Sequence, residues 1–269
     1  MTVRCAARTL REYVLFYICM LYFGVLGVAL SVVSVPLYHM LPQARRAQFG
    51  KWIIGSLFRG FLWLLRLCGL ARLDLSALDA LRGEHGILIA PNHPCLLDAV
   101  FVIAHVPDVA CIMKAEIWDN VVLGGGARLA GYIRNDSTVR MVRRSAEALR
   151  EGSPLLVFPE GTRTRRTPVN EFKGGFALIA KRAGAPIQTV FIDTDNPFLG
   201  KGWPLLRKPR FPLVYRARLG RRFRVDGDAK SFMRELQTYY RHELAAAAPE
   251  EPSPVLHPAA GSPHPGPVA

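Results

Sequence analysis

The stretch GILIAPNHPCLLDAV, residues 86–100, decides the fold of this chain. Its apolar run GILIA, residues 86–90, predicts a buried strand. Pro94 predicts a helix that begins at that residue, because proline suits the first helical position and pushes the residue before it into extended geometry. His93 and Asp98 then lie at a strand-to-helix corner, a place where scaffolds often carry functional residues.

The spacing of His93 and Asp98 predicts that their side chains meet. Two residues five apart on a continuous helix point about 140° away from each other, so His93 must lie outside the helix, as Pro94 requires. The carboxylate can then accept one ring N–H and fix the tautomer, while the other ring nitrogen takes a proton from an acceptor hydroxyl. One such pair arises easily by chance in a chain with seven histidines, so it needs support from elsewhere.

A second segment, FPEGTRT at residues 158–164, gives that support. It follows LLVF, residues 155–158, which predicts another buried strand. In the turn after that strand, Gly161 permits close approach of the backbone and Arg163 offers a planar, bidentate fork for phosphate. The segment therefore predicts an anion site, with a surface turn of incidental charges as the alternative.

NHPCLLD, residues 92–98, followed about 65 residues later by FPEGTRT, resembles the first and third sequence blocks of the glycerophospholipid acyltransferase superfamily. GYIRND, residues 131–136, occupies the place of the second block, with its arginine displaced. FKGGFALIAKRAGAPIQTV, residues 172–190, is similar to the stretch that leads into the last core strand of the family. The resemblance covers residues 84–193, and the type member of the superfamily acylates lysophosphatidate.

This resemblance implies transfer of a fatty acyl group from an acyl-CoA or acyl-carrier-protein thioester to a lipid hydroxyl, with no metal and no other cofactor. His93 would be the general base and Asp98 the residue that orients it. The groups that would receive the phosphate or equivalent head of the acceptor are Glu160, Gly161, Thr162, Arg163, Lys173 and Arg134. A backbone N–H at the start of the helix that follows would stabilise the oxyanion.

Several alternatives stay open at this stage. Lysophosphatidate is the leading acceptor, but other members of the superfamily acylate lyso-ornithine lipids or serve specialised lipid pathways. A different class of function is a non-catalytic module that binds membranes or carrier proteins. Cys95, at a position that is more often serine in the family, could form an acyl-thioester or could be a small packing residue.

The N-terminal 44 residues predict a membrane helix. No Lys, Arg, Asp or Glu occurs from Tyr13 to Ala44, and residues 13–35 are long enough to cross about 30 Å of hydrocarbon. A spanning helix is the default for residues 1–44; a re-entrant hairpin within one leaflet and a cleaved signal peptide are the alternatives. Residues 45–74 predict an amphipathic interfacial helix, with Lys51, Arg59 and Arg66 on one face.

The charge of the chain is strongly basic, with 35 Lys and Arg against 21 Asp and Glu, a net charge of +14. Such a surface attracts membrane lipids, acyl-carrier protein and the phosphates of coenzyme A. No zinc-ligand spacing, helix-turn-helix pattern or aromatic-basic platform indicates a nucleic-acid partner. We therefore expect a membrane location, at a bacterial inner membrane with the catalytic domain facing the cytoplasm.

The remaining pattern alternates strands with helices and predicts the α/β class. We expect a single acyltransferase domain at residues 75–230, with a mixed central sheet flanked by helices and preceded by the N-terminal membrane helices. Residues 212–225 predict a hairpin or edge strands, residues 231–244 a C-terminal helix, and residues 245–269 a disordered tail. The run GGG, residues 124–126, predicts a flexible bend.

Overall fold

A computed structural model describes residues 3–120, 124–166 and 168–247 of the chain. Its α-helices are α1 (Val3–Met40), α2 (Gln43–Leu67), α3 (Leu97–His105), α4 (Ala115–Trp118), α5 (Gly124–Leu129), α6 (Thr138–Arg150), α7 (Gly175–Ala183) and α8 (Ala229–Ala247). Its strands are β1 (Ala71–Asp74), β2 (Leu88–Pro91), β3 (Ala110–Lys114), β4 (Ile133–Asn135), β5 (Leu155–Leu156), β6 (Ile187–Thr194) and β7 (Leu213–Phe223). The tail expected to be disordered lies, from residue 248 onward, outside the described residues.

Within the described residues the strands form one seven-stranded sheet in the order β1-β7-β6-β2-β5-β3-β4. Neighbouring strands are parallel except β6 and β7, which are antiparallel. The sheet is therefore mixed, and the predicted α/β class with helices around a mixed sheet is confirmed. Residues 212–225, where a hairpin was one expectation, contribute the single long strand β7.

The sheet order explains why two segments far apart in sequence meet. β2 and β5 are parallel neighbours in the register Leu88 to Leu155 and Ile89 to Leu156. Parallel neighbours end at the same edge of a sheet, which is where α/β proteins place their binding sites. The segments that follow these two strands, residues 92–98 and 158–164, are therefore adjacent.

Helices cover both faces of the sheet. One apolar core joins the sheet to α2 and α3 and includes the fully buried Phe101 and Tyr215. The other joins the sheet to α6, α7 and α8 and includes the fully buried Phe176 and Tyr240. The buried strand β2, whose residues are all inaccessible, lies between these two layers.

Two local expectations were wrong. The helix expected to begin at Pro94 begins at Leu97, because the residues between them form a turn in which the Asp98 carboxylate accepts the Cys95 N–H at 2.9 Å. The C-terminal helix extends to Ala247, so residues 245–247 are helical and not part of a disordered tail.

Helix α1 is the one helix in the described part of the chain that is long and apolar enough to cross a membrane, with a mean hydropathy of 2.3 in its most apolar window. It also contacts the rest of the protein along much of its length. Glu12 pairs with Lys208, Phe23 packs its ring on Phe61, and Ser31 lies against Gly125. The opposite side of α1 is exposed: only 17% of its most apolar window is buried.

The glycine run is a helix contact and not a flexible bend, which corrects the expectation for residues 124–126. Gly125 is buried at the start of α5, and a Cβ there would lie 2.8 Å from the Cα and the carbonyl oxygen of Ser31. A Cβ on Gly126 would lie 2.7 Å from the Leu30 side chain. The absence of side chains therefore lets α1 pack directly on α5.

We expect Gly125→Ala to weaken this contact. The new methyl group cannot fit at 2.8 Å from a main chain, and overpacking of this kind costs about 1–3 kcal/mol. The melting temperature in detergent should fall by about 2–4 °C for each kcal/mol. Gly24→Ala is the matched control, because a Cβ on Gly24 meets nothing within 4 Å and alanine favours a helix. Equal melting temperatures for Gly125→Ala and the wild type would contradict the contact.

Candidate active site

The main chain of His93 is hydrogen bonded on both sides to the segment that follows β5. Its N–H donates to Glu160 Oε1 at 2.9 Å, and its carbonyl oxygen accepts the Thr164 N–H at 2.7 Å. The imidazole lies parallel to the Phe158 ring, with 3.8 Å between ring centroids. Backbone and ring are thus both positioned by residues 158–164.

His93 Nδ1 lies 2.8 Å from Asp98 Oδ2, as the sequence predicted. The Asp98 side chain is fully buried, and its carboxylate also accepts the N–H of Cys95 at 2.9 Å and the thiol of Cys95 at 3.0 Å. A carboxylate that accepts three donors leaves Nδ1 as the protonated ring nitrogen. Nε2 then carries the free lone pair. The side chain of His93 is 13% exposed, and it lines a cavity that extends from Phe158 to the first two helices.

Asn92 sets the other side of this corner. Its amide accepts the Ile192 N–H at 2.7 Å and donates to the Ile192 carbonyl oxygen at 3.0 Å. Both bonds are buried, and they join the end of β2 to β6. The turn that carries His93 is therefore fixed to both neighbouring strands.

The residues that precede α3 offer no free backbone N–H for the expected oxyanion site. The N–H groups of His93, Cys95 and Leu96 donate to Glu160, Asp98 and the Leu199 carbonyl oxygen respectively, and Pro94 has no N–H. A backbone donor for a developing oxyanion would have to come from the first turn of α3, which begins at Leu97, or from another element.

Glu160 also differs from its expected place among the acceptor-binding residues. It is fully buried, and its carboxylate accepts the His93 N–H, the Thr164 hydroxyl and the Asn170 N–H. It does not line the cavity, and a carboxylate has no N–H or O–H with which to hold a phosphate. The structure places it behind His93, where it joins the two segments.

Gly161, Thr162 and Arg163 do line the cavity. Gly161 has a φ of +65°, and a Cβ there would lie 3.0 Å from the Lys173 side chain, so this turn requires glycine. One terminal nitrogen of Arg163, Nη1, donates to the carbonyl oxygens of Leu199 and Gly200 at 2.8 and 2.9 Å. Arg163 therefore uses one of its terminal nitrogens to hold a neighbouring loop.

Four cations surround one end of the cavity, and we call them the basic mouth: Lys114, Arg163, Lys173 and Lys201. Lys201 Nζ donates to the Thr162 hydroxyl at 3.2 Å. Partial desolvation, together with the charges of Arg165, Lys114 and Arg163, lowers the pKa of Lys201. No acidic side chain is among the described residues that line the cavity, so these positive charges are not neutralised within it.

The sequence analysis missed Lys114 and Lys201. Lys114 is the last residue of β3, the neighbour of β5, so the rule that sites gather at the ends of parallel strands could have found it. Lys201 lies in the long connection between β6 and β7, and no spacing pattern linked it to the site.

Arg134 is not part of the basic mouth, which contradicts its predicted place. Its guanidinium pairs with Asp119 at 2.7 Å and with Asp136 at 3.4 Å, and it does not line the cavity. The strand alternation explains this, because neighbouring residues of β4 point to opposite sides and the next residue, Asn135, lines the cavity instead.

The cavity behind the basic mouth has a volume of about 560 Å³ and walls that are mostly apolar. It extends from His93 and Phe158 to residues of the first two helices and of α5. The apolar residues that these helices contribute are Tyr22, Phe23, Leu26, Leu30, Ile54, Leu57, Phe58 and Ala127. The site therefore joins a charged entrance to an apolar interior, with His93 between them.

Cys95 is placed to support Asp98 and not to attack a substrate. It is 1% exposed, and burial raises the pKa of its thiol well above the ordinary value, an effect to which the Asp98 charge adds. Only the thiolate is a strong nucleophile, so this environment disfavours the covalent alternative.

The chain is similar in sequence to known acyltransferases. The sequence profile of the family described as Acyltransferase matches residues 72–193. A 1-acyl-sn-glycerol-3-phosphate acyltransferase of Pseudomonas aeruginosa is 22% identical over 83% of this chain and 84% of its own length. A lyso-ornithine lipid O-acyltransferase of the same organism is 30% identical over 51% of this chain, which spans 57% of that relative.

Among solved structures, the 1-acyl-sn-glycerophosphate acyltransferase of Thermotoga maritima superposes with a TM-score of 0.67. The match covers 93% of this chain and 100% of that protein, at 18% identity. At this identity the likeness concerns the fold.

We expect Cys95→Ala to lower turnover about tenfold while Cys95→Ser keeps it near the wild-type value. Alanine leaves a buried carboxylate oxygen without one donor, a loss worth about 1–3 kcal/mol, whereas a serine hydroxyl replaces the thiol donor. Acyl-transfer turnover should be measured across pH, because altered support of Asp98 should also shift the pH profile. Equal profiles for all three proteins would show that the thiol does not support Asp98.

Proposed function

We propose that this chain, which belongs to the glycerophospholipid acyltransferase superfamily, transfers a fatty acyl group to a lysophospholipid hydroxyl. The donor is an acyl-CoA or acyl-carrier-protein thioester, and lysophosphatidate is the favoured acceptor. The observation that carries this proposal is the position of the His93 and Asp98 pair, between a basic mouth and an apolar cavity. The chain is an acyltransferase, so the alternative of a non-catalytic binding module is set aside.

The pair supplies the proton transfers of the reaction. His93 Nε2 takes the proton of the acceptor hydroxyl as its oxygen attacks the thioester carbonyl carbon. The tetrahedral intermediate then collapses, the carbon–sulfur bond breaks, and the imidazolium returns its proton to the leaving thiolate. Asp98 holds the tautomer and stabilises the imidazolium through the bond at 2.8 Å.

The apolar cavity suits the fatty acyl chain. Its volume of about 560 Å³ lies within the range typical of small-molecule sites, about 300–1,000 Å³. Each methylene that enters it gains about 0.8 kcal/mol. Because His93 lies where the apolar walls meet the charged entrance, a chain bound in the cavity would present its carbonyl carbon close to the base.

The basic mouth suits the phosphate of the acceptor. Its lysines and Arg163 supply charged donors, and the Thr162 hydroxyl lies within the same group. Lyso-ornithine lipid stays the second candidate acceptor, because a relative of that activity is 30% identical over 150 residues and because its carboxylate would meet the same cations.

The chain is membrane-associated, and we propose the cytoplasmic side of a bacterial inner membrane. Helix α1 contacts the catalytic domain or α2 from Glu12 to Ser31, a length of about 28 Å at 1.5 Å per residue. If α1 crossed the hydrocarbon over this length, the charged Lys208 and the other segments that it contacts would have to lie in the hydrocarbon as well. This supports the alternative in which the first two helices lie within one leaflet.

The proposal is tested with an acceptor panel of lysophosphatidate, lyso-ornithine lipid and other lysolipids, with both classes of donor and products identified by mass spectrometry. His93→Ala and Asp98→Asn should each lower transfer by about 10²–10⁴-fold, the usual contribution of general base catalysis. Circular dichroism and vesicle flotation serve as controls for fold and membrane binding. If folded His93→Ala keeps near wild-type turnover, the proposed mechanism is wrong.

Ala127→Leu should shorten the preferred acyl chain. Ala127 is 2% exposed and lines the apolar cavity, so leucine would occupy space that the end of a long chain needs. Each methylene that no longer fits costs about 0.8 kcal/mol, roughly fourfold in binding. The measurement is competition among acyl donors of graded length, with the melting temperature as a control. An unchanged length profile in a stable variant would place the acyl chain elsewhere.

A further inference from the structure

The connection between β6 and β7 carries two adjacent leucines that face solvent. Leu205 is 54% exposed and Leu206 is 64% exposed. Adjacent exposed apolar side chains that are rimmed by polar or charged residues mark a candidate contact surface. We call residues 196–210 the basic loop, and its sequence is NPFLGKGWPLLRKPR.

The charges of the basic loop select an anionic partner. The loop contains four cations and no Asp or Glu. Lys208 pairs with Glu12 at 2.8 Å, while Lys201, Arg207 and Arg210 are exposed. Two leucines thus share a loop with three positive charges that have no acidic partner among the described residues, the combination with which proteins bind the interface of anionic lipid.

The conformation of the loop holds these leucines outward. The Asn196 amide donates to the Arg210 carbonyl oxygen at 2.9 Å, which joins the two ends of the loop. The Trp203 indole N–H donates to the Arg207 carbonyl oxygen at 3.1 Å, directly across the leucine pair. The loop is therefore closed by its own hydrogen bonds with Leu205 and Leu206 on the outside.

The loop also connects the membrane helix to the entrance of the site. On one side, the Tyr17 hydroxyl donates to the Leu206 carbonyl oxygen at 3.2 Å and Phe16 packs on Phe198. On the other side, Arg163 donates to the carbonyl oxygens of Leu199 and Gly200. A bilayer that contacts α1 beside Tyr17 would therefore reach Leu206 as well.

We infer that the basic loop is a second membrane contact: Leu205 and Leu206 enter the interface of an anionic bilayer, and Arg207 and Arg210 bind its headgroups. This contact holds the basic mouth at the membrane surface, where an acceptor lipid enters without leaving the bilayer. The inference rests on the proposed function for the identity of that acceptor, but the contact with lipid is independent of catalysis.

The test uses the full chain with Leu205→Ser/Leu206→Ser and vesicles of phosphatidylglycerol and phosphatidylethanolamine that contain dilute long-chain lysophosphatidate. Acyl-CoA is the donor throughout, so no carrier protein is present. The apparent KM for the vesicle acceptor should rise roughly tenfold, because two apolar side chains no longer enter the interface. Turnover of a short-chain, water-soluble lysophosphatidate should stay within about twofold of the wild type, since the soluble acceptor needs no membrane contact.

Val139→Ser/Leu178→Ser is the matched control. These residues are 79% and 47% exposed, and they lie on α6 and α7, which pack on the opposite face of the sheet. The control should leave both KM values unchanged. A second variant, Arg207→Gln/Arg210→Gln, should float less well than the wild type with anionic vesicles at low salt, and this difference should shrink as salt is raised. Its binding to phosphatidylcholine vesicles should stay that of the wild type.

The inference is overturned if the leucine variant has the wild-type KM on vesicles, or if it loses activity equally on the soluble acceptor. It is also overturned if flotation of both variants equals that of the wild type at every salt concentration. Wild-type inactivity on both acceptors, with loop-dependent flotation intact, would instead refute the proposed function and leave the membrane contact standing.

Discussion

The geometry of the site depends on the two hydrogen bonds that hold the main chain of His93 to the segment after β5. One runs from the His93 N–H to the Glu160 carboxylate and the other from the Thr164 N–H to the His93 carbonyl oxygen. Burying the Glu160 charge is costly, and it is tolerated because the carboxylate is satisfied by donors from three residues. Loss of that carboxylate would leave those donors unpaired behind the base, so the charge of Glu160 has a positional role.

The sequence predicted the part of the site that depends on local geometry. Pro94 keeps His93 outside the helix, and the pair with Asp98 forms at 2.8 Å as expected, even though the helix begins three residues later. The two segments meet because each comes after a buried strand and the two strands are parallel neighbours, a pairing that the structure supplies and the sequence analysis did not predict. The resemblance to the acyltransferase superfamily is confirmed by the family profile and by the relatives.

The parts that could not be predicted depend on the direction of a side chain or on contacts between distant segments. Charge alone argues against Glu160 as a phosphate ligand, but only the structure shows what its carboxylate binds. Arg134 and Asn135 are neighbours on one strand, and without the register a sequence cannot say which of them faces the cavity. Glycines 124–126 give the same signal whether they form a bend or a close helix contact, because both uses depend on the missing Cβ.

The cavity is built in part from the two helices that we propose to lie at the membrane. Its apolar walls include residues of α1 and α2, so the space that suits an acyl chain exists only while those helices pack on the catalytic domain. The same α1 has an exposed apolar side and contacts the loop next to the entrance. A lipid acceptor and a fatty acyl chain are both most stable in or near hydrocarbon, whereas the charges that recognise a phosphate are most accessible at the headgroups. His93 lies between the two environments, which is where, in the proposed reaction, an acceptor hydroxyl next to a phosphate would meet the carbonyl carbon of a buried chain.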